Sequence, residues 1–98
     1  MLDDSPRISC LDDLRAYVHH TICQNNELEL NAFSMTERIL VRGGEPCGLY
    51  FCVHGPRAVK LTAIWEMDRN SVLFYSASGQ RVQRAQLTQV PSLIPQMA

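Results

Sequence analysis

The stretch CGLYFCVHGPR, which runs from Cys47 to Arg57, places two cysteines and a histidine close together in a chain of 98 residues. A thiol beside a histidine or a cation can act as a nucleophile or redox sensor, and sets of Cys and His can bind zinc. The spacing argues against a shared metal site, because Cys47 and Cys52 are five residues apart and would point to opposite faces of a regular strand. Cys52 and His54 would share a face.

A reactive thiol at Cys52 is therefore one hypothesis. The predicted strand register places Lys60 opposite Cys52, and a cation and a histidine near a thiol lower its pKa. However, no third residue is evident to orient His54, and an inert, buried cysteine is the commoner case. Cys52, His54 and Lys60 are the catalytic candidates, but we favour a non-enzymatic role, and we predict no cofactor.

His19 and Cys23 raise a separate metal question. They are four residues apart and so lie on the same face of a helix, where they could supply half of a metal site. The other half would have to come from Cys10, His20 or the strands, and nothing in the sequence places those residues nearby. We favour ordinary polar positions on a helix surface and predict no metal.

Residues 9–24 are predicted to form an amphipathic helix. Its apolar stripe has three- and four-residue spacing and consists of Leu11, Leu14, Val18 and Ile22. Ser9 is the expected N-cap, and the QNNE segment, residues 24–27, should end the helix because Asn tolerates the left-handed conformation.

After the helix, the apolar period changes from 3.6 to 2, and short turn clusters separate the alternating runs. Short breaks favour hairpins over crossovers. We therefore predict an α+β domain in which one N-terminal helix packs on an antiparallel meander of four or five strands. The expected organisation is a flexible arm over residues 1–8, a domain over residues 9–88 and a Pro-containing tail over residues 89–98.

Alternation also predicts a register in which odd-numbered residues of the first two strands face the core. In the first hairpin the expected pairs are Thr36–Cys52, Arg38–Tyr50, Ile39–Leu49 and Val41–Cys47. In the second they are Tyr50–Thr62, Phe51–Leu61, Cys52–Lys60 and Val53–Val59. The sequence does not indicate which face of residues 71–77 points to the core.

Charge and cysteine content suggest where the protein works. The net charge is -1, yet residues 1–30 carry six acids and two bases, whereas residues 31–98 carry seven bases and four acids. The basic side should therefore be the sheet. No secretory signal or membrane span is evident, so the four cysteines are expected to be free thiols in the cytoplasm.

The even-numbered sheet face, which one helix cannot also cover, is the predicted binding surface. It carries apolar and basic side chains together: Arg38, Leu40, Tyr50, Cys52, His54, Lys60 and Ile64. Apolar patches of this kind often mark contacts with other chains. We therefore favour a small interaction module whose partner is another protein or a second copy, which would make the chain a homodimer.

Two alternatives stay open. Basic and aromatic groups on a sheet can bind single-stranded nucleic acid, although no known nucleic-acid motif or basic run is present. A small-ligand pocket could form between helix and sheet, but its lining would be Tyr17, Phe51, Trp65 and Met67, which the core also needs. We favour core packing for these residues.

Overall fold

The computed structural model describes residues 8–91 and shows one α-helix and five strands. The elements are α1 (Leu11–Asn25), β1 (Met35–Arg42), β2 (Glu45–His54), β3 (Lys60–Glu66), β4 (Ser71–Tyr75) and β5 (Arg81–Gln86). A short 3-10 turn, Pro56–Ala58, joins β2 to β3. The strands follow one another across a single antiparallel sheet in the order β1-β2-β3-β4-β5. The predicted α+β meander is therefore confirmed.

The N-cap of α1 lies one residue later than expected. It is Cys10, whose side chain makes no capping hydrogen bond. Ser9, the predicted N-cap, instead donates its backbone N–H and its Oγ to Asp13 Oδ2, at 3.3 and 3.1 Å. The backbone hydrogen bond from Ser9 is the largest cause of a lowered pKa at Asp13.

At the end of α1, the residue with the left-handed conformation is not an asparagine, as had been expected. Asn26 is the C-cap with φ -116°, and its side chain donates to the Ile22 carbonyl at 2.8 Å. The left-handed residue is Glu27, with φ 55°. The asparagine thus ends the helix by capping a carbonyl rather than by adopting the left-handed conformation.

The core lies between α1 and one face of the sheet, which we call the inner face. Its strand residues are Leu49, Phe51, Val53, Leu61, Ala63, Trp65, Val72 and Phe74, and the helix adds Leu14, Val18 and Ile22. Tyr17 of α1 meets Phe74 edge to face, with ring centroids 6.0 Å apart. Val72 and Phe74 point inward, so Leu73 and Tyr75 lie on the opposite side, which we call the outer face.

Ile8, the last residue of the predicted arm, is buried in this core at 1% exposure. Val90 in the predicted tail is 67% exposed. The rest of the predicted arm, and the part of the predicted tail that contains Leu93 and Ile94, lie outside the described residues. Among residues 8–91, no helix has both the length and the apolar character needed to span a membrane.

The first hairpin has the predicted register over most of its length. Arg38 pairs with Tyr50 and Ile39 with Leu49, but an irregularity between Leu40 and Val41 places Val41 opposite Pro46 rather than Cys47. The bulge leaves Cys47 without a partner on β1, so the predicted Val41–Cys47 pair was wrong.

The second hairpin is shifted by two residues from the predicted register. Cys52 lies opposite Thr62, and Lys60 lies opposite His54. Arg57 and Ala58 both have positive φ values, 59° and 62°, and the Val59 N–H donates to the Pro56 carbonyl. The turn is therefore centred one residue later than the Gly-Pro break suggested, which moves every pair by two and preserves which face each side chain occupies.

β1 is an edge strand, and its inner-face residues are more exposed than alternation predicted. Ile39 is 53% exposed and Val41 is 61% exposed. α1 packs over β2 and β3 and reaches β1 through an ion pair between Arg15 and Glu37. The prediction that Ile39 and Val41 are core residues was wrong because the helix does not extend over this edge.

The turn between β3 and β4 is held by Asn70, a left-handed residue with φ 47°. Its side-chain oxygen accepts a hydrogen bond from the indole N–H of Trp65 at 3.0 Å. Its side-chain nitrogen donates to the Gln89 carbonyl at 2.9 Å. One side chain therefore connects the fully buried Trp65 to the segment that follows β5.

Candidate interaction surface

The outer face of the sheet carries all seven predicted binding residues. Strand pairing and alternation place Arg38, Leu40, Tyr50, Cys52, His54, Lys60 and Ile64 on the side opposite α1. They are brought together by β1, β2 and β3 in one continuous surface. Their use as a binding site remains a prediction.

One line of side chains crosses the whole outer face. Each member is the direct partner of the next, on successive strands, in the order Arg38, Tyr50, Ile64, Leu73 and Arg84. We call these five residues the central row. Four interstrand spacings separate its ends, which is about 19 Å. The row therefore has an apolar middle and a guanidinium group at each end.

The Arg38 end of the row is ordered by an aromatic contact. The guanidinium carbon of Arg38 lies 5.4 Å from the centre of the Tyr50 ring, within the range of a cation–π interaction. Leu73 is already buried, with 7% of its surface exposed, whereas Tyr50 and Ile64 are only partly buried. Tyr50 and Ile64 therefore provide the apolar contact area that a partner could still cover.

Cys52 lies in the neighbouring row, and its surroundings do not resemble an activated thiol. It is 4% exposed and lies between Thr36 on β1 and Thr62 on β3. Lys60 is opposite His54 instead, and His54 Nε2 lies 3.1 Å from the Thr36 hydroxyl. The cation that the thiol hypothesis required is therefore not at the position opposite the sulfur.

The outer face has an excess of positive charge. At its regular paired positions it carries Arg38, Lys60 and Arg84 against one carboxylate, Glu66. Glu66 also accepts a hydrogen bond from the Ser71 hydroxyl at 3.4 Å. The first turn of α1, on the other side of the sheet, is acidic. The two sides of the domain therefore differ in charge as the sequence predicted.

A shallow, open depression of about 330 Å³ lies beside Leu40 and Ile64. Gly48 sits between their strands, and a Cβ atom there would overlap the Trp65 carbonyl oxygen. The depression is bordered by two acids and two arginines, of which Arg42 and Asp68 form an ion pair at 2.9 Å. It adds a recess to the surface but no net charge.

His19 and Cys23 lie on the same face of α1, as predicted, with Cys23 Sγ 3.9 Å from His19 Nε2. The same nitrogen lies 2.9 Å from the Phe33 carbonyl and must donate its proton to that oxygen. Burial raises the pKa of Cys23. Within residues 8–91, no three His, Cys, Asp or Glu side chains cluster as metal ligands would. His19 therefore anchors the loop before β1 to the helix, and Cys23 is fully buried, so the expected surface position was wrong for this cysteine.

No match was found to the chain among protein-family models, curated proteins or solved structures. Its function must therefore be argued from its own residues.

For two members of the central row the sequence was less informative: it left the orientation of Leu73 undecided, with the uncovered face as one option, and it did not point to Arg84. The run SVLFY in β4 is almost uniformly apolar, so alternation could not show which residues face outward. Arg84 becomes a surface residue of this row only through its pairing with Leu73. Long-range strand pairing was the missing information.

Proposed function

We propose that this chain is a small protein-interaction module whose outer sheet face binds an acidic, partly apolar segment of a partner protein. The central row carries the proposal. Its apolar middle offers contact area at Tyr50 and Ile64, and its terminal residues, Arg38 and Arg84, can each pair with a carboxylate. Arginine and aromatic residues are also the types enriched where interfaces gain most of their binding energy.

The charge of the outer face argues for an acidic partner and against a second outer face. Packing two outer faces together would place like charges opposite one another, which costs free energy. The acidic helix of a second copy is also a poor occupant, because the apolar stripe of α1 is buried in its own core. A different protein with carboxylates flanking apolar side chains satisfies both the apolar middle and the cationic ends.

Single-stranded nucleic acid is the second candidate, since the face is basic and carries tyrosines. The position of Arg38 over Tyr50 favours the protein partner, because the guanidinium occupies one face of the ring on which a base would stack. The central positions Ile64 and Leu73 are aliphatic and provide no stacking platform.

The four free thiols support a reducing compartment, so we propose that the module works in the cytoplasm.

The test begins with selection of binders to the folded chain from a displayed library of random peptides. We expect enrichment of sequences with acidic residues on both sides of apolar ones. A selected peptide is then titrated against Arg38→Glu and against Arg57→Glu, an exposed turn residue that undergoes the same change in charge. Arg38→Glu should weaken binding by about tenfold or more at low salt, whereas Arg57→Glu should change it little.

Equal effects of the two variants would show a nonspecific response to net charge and would overturn the proposed site. A mixed pool of single-stranded oligonucleotides is titrated in parallel under the same salt conditions. Binding of the pool that Arg38→Glu abolishes, with no acidic peptide enriched, would replace the protein partner with nucleic acid. Circular dichroism of both variants verifies that the fold is retained.

A further inference from the structure

Within residues 8–91, only β2 pairs with β1, so one edge of β1 is open, and the strand carries exposed apolar side chains. The strand runs for eight residues without proline or glycine, and it is the first strand of the sheet, so β2 pairs with one side of it. Ile39 is 53% exposed and Val41 is 61% exposed. An open, apolar edge of this length is a template for pairing with another strand.

The charged residues of β1 do not protect this edge, because each is engaged within the chain. Glu37 accepts a hydrogen bond from Arg15 at 2.9 Å, and Arg42 forms an ion pair with Asp68 at 2.9 Å. Arg38 lies over the Tyr50 ring. Proteins commonly prevent edge pairing with charged side chains that project from the edge strand. Here those side chains are directed back onto neighbouring elements of the same chain.

The hydrogen-bond pattern shows which backbone groups the edge offers. The His54 N–H donates to the Ser34 carbonyl at 3.0 Å, so residue 34 directs its backbone groups toward β2. In an antiparallel ladder this direction alternates along the strand. Met35, Glu37 and Ile39 therefore direct their N–H and C=O groups toward the open side, where a second strand could bond to them.

We infer that two copies of the chain pair β1 with β1, antiparallel, about a two-fold axis that passes beside Ile39. In this register Ile39 lies opposite Ile39 of the second copy, and Arg38 lies opposite Leu40. A slip of two residues in one direction would place Arg38 opposite Arg38, and a slip in the other would place it opposite Arg42. Like charges directly opposite one another destabilise a strand pair, so the Ile39 register is selected.

The dimer joins two five-stranded sheets into one ten-stranded sheet with both helices on the same side. The two Ile39 side chains lie on the inner face, beside the β1 region that α1 does not cover, and burying them supplies the apolar gain. Both central rows remain on the opposite face. The inference therefore does not depend on the proposed partner-binding function.

The test uses the complete chain in sedimentation equilibrium from about 5 µM to about 500 µM, a range that covers affinities expected of a modest interface. Wild type should associate to a dimer. Ile39→Lys places two ammonium groups at the axis and should raise the dissociation constant by at least about tenfold. Val82→Lys is the matched control, because Val82 is 57% exposed on β5, the opposite edge, and should leave the dimer intact.

A covalent test uses Ile39→Cys in a chain that carries Cys10→Ser and Cys47→Ser. Directly opposed residues on antiparallel strands have Cα separations within the range of a disulfide, so mild oxidation should cross-link the dimer, and Val82→Cys should stay uncross-linked. A monomeric wild type at every concentration overturns the inference. The inference is also overturned if Ile39→Lys leaves the dimer unchanged or if Val82→Lys dissociates it as well. Failure of Ile39→Cys to cross-link the dimer overturns it too.

Discussion

Asn70 combines three roles that can be separated by substitution. It adopts a left-handed conformation in the β3–β4 turn, it accepts the indole hydrogen bond of Trp65, and it donates to the Gln89 carbonyl. Trp65 is fully buried, so its N–H has no access to bulk water if the acceptor is lost. We expect Asn70→Ala to be among the most destabilising single substitutions in a turn of this protein.

The expected loss follows from the three roles. An unpartnered buried N–H costs about 1–3 kcal/mol, and the lost bond to the Gln89 carbonyl adds about 0.5–1.5 kcal/mol. A left-handed alanine costs a further 1–2 kcal/mol or so, part of which asparagine avoids. Asn70→Ala should therefore lower the free energy of unfolding by about 3–5 kcal/mol, a large part of the roughly 5–10 kcal/mol expected of such a domain.

Two further substitutions separate the backbone from the hydrogen bonds. Asn70→Gly relieves the conformational strain but restores neither hydrogen bond. Its free energy of unfolding should therefore lie between those of Asn70→Ala and wild type. Asn70→Asp keeps an acceptor for Trp65 and a residue type that tolerates the left-handed region, and it loses the donor to Gln89. The predicted order of stability is wild type, then aspartate, then glycine, then alanine.

Urea denaturation followed by tryptophan fluorescence measures this series directly, because Trp65 is the single tryptophan. The slope of the unfolding free energy against urea should stay constant across the variants. If Asn70→Gly were as stable as wild type, the two side-chain hydrogen bonds would contribute nothing and the reasoning would be refuted. If Asn70→Asp were as unstable as Asn70→Ala, the hydrogen bond with Trp65 would not be the main contribution of this side chain to stability.

Three shorter predictions concern the sheet and the thiols. Gly48→Ala should lower the free energy of unfolding by about 1–3 kcal/mol, because its Cβ would overlap the Trp65 carbonyl oxygen. Gly55→Ala, whose Cβ would have its nearest neighbour 3.4 Å away, should lower it less in the same urea experiment. Ala58→Gly should raise the free energy of unfolding by about 1 kcal/mol, because glycine tolerates the positive φ; a lower melting temperature would contradict a left-handed turn. Mass spectrometry after brief alkylation of the native chain should show modification of the partly exposed thiols before the buried ones, and rapid labelling at Cys52 would contradict its burial; the two pairs are Cys10 and Cys47, then Cys23 and Cys52.

The sequence was sufficient for the helix, the strand order and most side-chain orientations. The apolar stripe of α1 and the alternation in β2 and β3 depend on local periodicity, which is visible in a single chain. The register of the second hairpin was not predictable from the same signal. A shift of two residues keeps every side chain on its face, so alternation cannot detect it, and the deciding feature was the left-handed pair at Arg57 and Ala58.

Position within the sheet was a second limit. Ile39 and Val41 alternate as core residues would, yet they lie on an edge that the helix does not cover. Alternation indicates which side of a strand is apolar but not whether another element packs against that side. The predicted surface residues on β1, β2 and β3 were brought together as expected, because alternation is clear in those strands. The orientation of Leu73 stayed open because β4 is almost uniformly apolar, and Arg84 joins the row only through strand pairing.

The central row has a thermodynamic consequence because each of its five residues comes from a different strand. No contiguous peptide from this chain can present it, and partial unfolding at either edge of the sheet removes an arginine from one end. A molecule that binds the row must therefore bind the native state selectively. By linkage, it would stabilise the whole domain by about 2.7 kcal/mol when its concentration is one hundred times its dissociation constant. Occupancy of this surface and integrity of the five-stranded sheet are thus coupled, and ligand would protect the chain from proteolysis in proportion to its concentration.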